Sequence, residues 1–129
     1  MCSTNREAKK NKKKIPIAYS CSGCSNLAQL ANQVSVEFSR DGFAEMSCIA
    51  GVGGDVPPLV KKAKSGRYII AIDGCSLQCV KACLFKQKVF PSKHYILTEF
   101  GLKKHNCEFD SNTVLLVKEK IESDYEEAV

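Results

Sequence analysis

Arg67-Tyr-Ile-Ile-Ala-Ile-Asp-Gly-Cys-Ser-Leu-Gln-Cys79 decides the fold. Its opening apolar run, residues 67–73, is short, rich in isoleucine and closed by Asp73-Gly74, which predicts a strand buried on both faces of a sheet. From Ser76, Leu77, Val80 and Leu84 recur at helical spacing, so a helix follows at once and ends before Pro91. Working outward, residues 15–19, 45–50 and 93–98 read as three further strands. The four starts lie close to the roughly 30-residue length of a strand, crossover helix and parallel strand. The remaining stretches are helical. Leu27, Leu30, Ala31, Val34 and Phe38 form one face, with Gly42 where a cap belongs. Asp55, Pro57 and Pro58 open a short helix that Gly66 closes, and Val114, Val117 and Ile121 line a last one from Ser111.

The expectation is a three-layer α/β/α domain with a mostly parallel sheet of about four strands in the order 2-1-3-4, of the flavodoxin or Rossmann kind. One domain is enough for 129 residues, and 44% hydrophobic with 26% charged residues excludes a membrane span and a wholly disordered chain. Residues 15–129 form that domain. Residues 1–14 carry Arg6 and five lysines against Glu7, which accounts for the whole formal excess of +5. They hold too little apolar surface to fold and are expected to be a disordered, solvated tail. With no basic face on the body and no aromatics in the tail, no nucleic-acid partner is expected. The acidic stretch of Glu119, Glu122, Asp124, Glu126 and Glu127 is expected to fray.

Eight cysteines stand at 2, 21, 24, 48, 75, 79, 83 and 107. Residues 1–14 have no apolar segment of the secretory kind, so Cys2 is not read as a lipid acceptor and a cytoplasmic, membrane-free location is expected. In a reducing compartment, clustered thiols are metal ligands or redox groups more often than disulfides. Cys21 and Cys24 occupy the turn from strand one into helix one, while Cys75 and Cys79 occupy the corresponding turn after strand three. In the order 2-1-3-4 these turns flank the switch-point crevice, with two helix amino ends beside it. Four thiolates converging there would repel, whereas a zinc ion takes four sulfurs tetrahedrally and deprotonates them. Cys75 and Cys79 can point together if the helix starts at or just before Cys75.

The order of motifs sharpens this. Tyr-Ser-Cys-Ser-Gly-Cys at 19–24, Met46-Ser-Cys-Ile-Ala-Gly-Val-Gly-Gly-Asp55, Ala71-Ile-Asp-Gly-Cys75 with Cys79, and Leu97-Thr-Glu-Phe-Gly-Leu-Lys-Lys104 together resemble the DGC-domain family, named for its Asp-Gly-Cys motif and described as zinc-binding. The resemblance implies four chelating cysteines, which map to Cys21, Cys24, Cys75 and Cys79, with Zn²⁺ as the metal. Ser76-Leu77 departs from the Pro-Leu expected after the motif.

Other readings of the same thiols stay open. An iron–sulfur centre uses four cysteines equally well. Thiol redox or sulfur-handling chemistry is the other alternative, since helix amino ends lower a thiol pKa and would make Cys21 or Cys24 reactive. A phosphatase-like nucleophile is disfavoured, because residues 22–30 lack the arginine that would bind the oxyanion. A four-sulfur zinc leaves no open position for water, so no catalytic residue is assigned and the pocket is expected to receive a small molecule or a protein. Cys48 reads as a core residue of strand two and Cys83 as buried. Gly51-Val-Gly-Gly-Asp55 reads as a tight turn with Asp55 as helix cap, or as an anion cradle. Asp73 braces the loop or supports a ligand. Lys103 and Lys104 read as a solvated pair facing the crevice, and His105 and Cys107 as a minor candidate pair. His94, at a strand's start, is assigned to the wrong end of the sheet.

Overall fold

Strand β1, Ile17–Ser20, is buried along its whole length because it lies inside a sheet covered on both faces. The computed structural model describes residues 15–104 and 109–128 of the chain. In sequence order β1 is followed by α1 (Asn26–Asp41), β2 (Glu45–Met46), α2 (Ile49–Gly53), α3 (Pro57–Ala63), β3 (Ile69–Asp73), α4 (Cys79–Lys86), β4 (Lys93–Ile96), a 3₁₀ turn (Leu97–Phe100) and α5 (Ser111–Ala128). The four strands pair in parallel in the order β2-β1-β3-β4, as their spacing predicts.

Two apolar clusters fill the spaces above and below the sheet. Ala18, Ile70, Ile72 and Tyr95 meet the inner faces of α1 and α5, where Leu30, Val34, Phe38, Val117 and Ile121 are buried. Ile17, Tyr19, Ile69 and Ala71 point the other way, against Val52, Ala63, Val80 and Leu84 from α2, α3 and α4. Each large side chain so buried contributes about 1.5–3 kcal/mol relative to an exposed one. Helix α1 carries both of its expected ends. Ser25 accepts the Ala28 N–H, and Gly42, at φ 79°, donates its own N–H to the last carbonyls. No helix among the described residues is long and apolar enough to cross a membrane.

Several expectations change. Strand two ends after Met46, four residues early, because the Cys48 carbonyl already accepts the Val52 N–H of a helix. Cys48 is therefore exposed rather than in the core. The glycine run is helical as far as Gly53, and only Gly54 and Asp55 form the expected turn; Gly53 lets α2 approach α4, since a Cβ there would stand 2.8 Å from Cys83 Sγ. Cys83 is correspondingly half-buried between those helices, and Asp55 caps nothing, Val56 holding that position before α3. Helix α4 starts at Cys79 instead of Ser76, and Leu77 is 72% exposed. Strand four stops at Ile96, where the chain tightens into the 3₁₀ turn. The acidic end does not fray: α5 runs to Ala128, the Tyr95 hydroxyl donates to Asp124 at 2.8 Å, and Tyr125 stacks edge-on against Phe43 and Tyr68. Residues 1–14, with Cys2 and the expected tail, lie outside the described residues, as do His105 and Cys107.

Candidate metal centre

The carboxyl ends of β1 and β3 are neighbours, so the loops that leave them start side by side. Ser20 pairs with Ile72, and Cys21 N–H continues the ladder to the Ile72 carbonyl at 3.1 Å. Cys21 then turns its sulfur across the gap, where Sγ accepts the Gly74 N–H at 3.1 Å. A residue of the first loop is thus tied to the Asp-Gly-Cys segment of the second, 53 positions away. Gly74 is required here by space. A Cβ on it would stand 2.9 Å from the Leu27 carbonyl carbon and 3.0 Å from the Ala28 nitrogen, both in the backbone of α1's first turn.

Cys21, Cys75 and Cys79 share this crevice. Burial pushes the Cys21 thiol up to about 11; the Gly74 N–H opposes that rise, while the nearby Asp73, Cys79 and Cys75 reinforce it. Cys83 is raised as well, by burial first and then by Cys79 and Asp73. At Cys21, burial thus opposes the lowering expected from helix amino ends. Cys75 is half-buried, with Lys104 Nζ 3.5 Å from its sulfur. Lys104 therefore faces the crevice, whereas Lys103 turns its carbonyl to Asn26 Nδ2 at 3.0 Å. Cys24 is exposed on the loop before α1, and its carbonyl accepts a hydrogen bond from Gln29 at 3.3 Å.

Asp73 is the residue whose role the sequence left most open. Only 1% exposed, it accepts the Val80 N–H at 2.7 Å and the Lys81 N–H at 3.3 Å, so it caps α4 from seven residues back. His94 Nε2 lies 2.7 Å from its second oxygen. The assignment of His94 to the far end of the sheet is thus corrected. It pairs in register with Ala71, two residues before Asp73 on the same face, and an imidazole spans that diagonal.

The crevice gathers Cys21, Cys75 and Cys79, with a main-chain N–H directed at the first sulfur and an ammonium near the second, while Cys24 stands exposed on its loop. That donor set suits zinc, because thiolates are its preferred soft ligands and both donors offset the negative charge of a four-sulfur site. Among the described residues, no three His, Cys, Asp or Glu side chains stand close enough to share an ion.

A family model described as the DGC domain matches residues 17–122. A curated relative described as the anaerobic and virulence modulator AnvM, from Pseudomonas aeruginosa, is 54% identical over 107 residues, covering 81% of this chain and 82% of its own. No solved structure matches the chain.

Proposed function

Because the chain belongs to the DGC-domain family, we propose that it binds one zinc ion through Cys21, Cys24, Cys75 and Cys79. The metal would tie the β1–α1 loop to the β3–α4 loop and shape the crevice for a small-molecule or protein partner. The observation that carries this reading is the sulfur of Cys21, reaching out of its own loop to the Gly74 N–H at 3.1 Å with Cys75 and Cys79 close by. Bound there, zinc would supply charge and a rigid cross-link, with no open coordination position for hydrolysis. A binding role of this kind agrees with the relative's description as a modulator. Redox use of the same thiols is the second reading, and the burial that raises the Cys21 thiol works against it.

Elemental analysis of protein purified anaerobically is expected to give about one zinc per chain, the content of a single four-sulfur site. Serine at 21, 24, 75 or 79 should each lower that content, and serine at 107 should leave it unchanged. Zinc that survives all four substitutions, or a visible absorption with iron in its place, would contradict the proposal.

A further inference from the structure

We infer that the open edge of β4 is a docking surface for a second copy of this chain, the two β4 strands running antiparallel about a two-fold axis and joining two four-stranded sheets into one. The sheet has two edges, and they are not alike. β2 is only two residues long, whereas β4 has four, Lys93–Ile96, all paired with β3. Ser92 N–H donates to the Ile69 carbonyl at 2.8 Å, so alternation along the strand turns the main-chain groups of His94 and Ile96 toward β3 and those of Lys93 and Tyr95 outward. Among the described residues nothing bonds to the outward set. All four residues of β4 line one groove of about 520 Å³, together with Glu99 and Phe100 of the 3₁₀ turn and Leu116 of α5, itself 57% exposed. Consecutive strand residues line one groove only where the main chain itself is at the surface, and such an edge is a template for another strand. Charge selects the occupant. Lys93 opens β4 and Glu99 stands just past its end; both are exposed, and neither is in an ion pair among the described residues. Asp124, in the same groove, is already held by Lys120 at 3.0 Å and by the Tyr95 hydroxyl at 2.8 Å. A lysine on an edge strand keeps most incoming strands off. A second copy running antiparallel, with Tyr95 opposite Tyr95, offers each Lys93 the other copy's Glu99, a self-complementary contact made twice. A parallel neighbour would set lysine beside lysine.

The test is sedimentation equilibrium of the full chain under reductant, from about 1 to 200 μM, a range that brackets the affinity of so short an interface. The wild type is expected to approach twice the chain mass toward the upper end. Lys93→Glu and Glu99→Lys should each weaken association about tenfold or more, since each sets like charges together at both symmetric contacts, and the double charge swap should return it to within about threefold of wild type. Lys61→Glu, an exposed reversal on α3, changes the net charge as Lys93→Glu does and should leave association unaltered. Circular dichroism checks the fold of each variant. Should a reversal fail to fold, Leu116→Lys takes its place, with a loss of about tenfold supporting the inference and an undiminished dimer contradicting it. A wild type that stays monomeric throughout the range overturns the inference, and a groove filled by another protein's strand or by residues 1–14 of the same chain would give that result. A dimer indifferent to both reversals, one that the swap does not restore, or one that forms only without reductant would overturn it too. None of these outcomes bears on the zinc reading, which rests on other residues.

Discussion

Alanine at Asp73 is expected to cost about 3–5 kcal/mol, because it removes one partner of a buried hydrogen-bonded pair and the cap of a helix together. The carboxylate is 1% exposed and receives three donors, Val80 N–H, Lys81 N–H and His94 Nε2, from two separate elements. Truncation leaves all three facing a space that a methyl group cannot satisfy. Against a typical domain stability of about 5–15 kcal/mol, that loss is large enough to leave part of the chain unfolded at 37 °C. Asp73→Asn separates the contributions. Its carbonyl oxygen still accepts the Val80 N–H, so the cost should fall to about 1–2 kcal/mol. Urea denaturation of the two variants measures both numbers, and equal losses would mean that the site depends on the carboxylate charge that both variants lack, and not on the acceptor that asparagine keeps.

Gly74→Ala should cost about 3 kcal/mol, for a different reason. The added methyl would enter the backbone of α1's first turn, at 2.9 Å from the Leu27 carbonyl carbon and 3.1 Å from its oxygen. Backbone cannot rotate aside as a side chain does, so relief comes only from moving α1 off β3 or tilting the Gly74 N–H away from Cys21 Sγ. Both movements open the crevice. The variant is therefore expected to lose metal affinity as well as stability in the same denaturation experiment. A cost below about 1 kcal/mol would show that α1 yields easily and that the packing constraint on this glycine is weak.

These two residues mark the boundary of what could be read from the chain. Helices α1 and α5 were legible because long amphipathic faces such as Leu27 to Phe38 depend only on local spacing. The order β2-β1-β3-β4 followed from strand spacing and the rules for parallel crossovers. The short apolar stretch after Met46 was not legible, since residues 47–50 fit a buried strand and a helix turn equally well. Helix α4 was misplaced for a related reason. Its start is set by the Asp73 cap seven residues back and by Gln78 at φ 56°, which helical periodicity does not record. His94 and Lys104 were undervalued because both reach the crevice from a different part of the fold. His94 depends on the β3–β4 register, and Lys104 on the path of the chain after the 3₁₀ turn. Gly74 could be singled out by its motif, but the reason for it, the backbone of α1, lies 46 residues earlier at Ala28.

X-ray absorption at the zinc edge tests the metal centre most directly, on full-length protein purified without oxygen or added chelator. The account predicts a first shell of four sulfur scatterers at about 2.3 Å, reduced to three in Cys21→Ser. A shell dominated by nitrogen or oxygen, or one unaltered by that substitution, would contradict it.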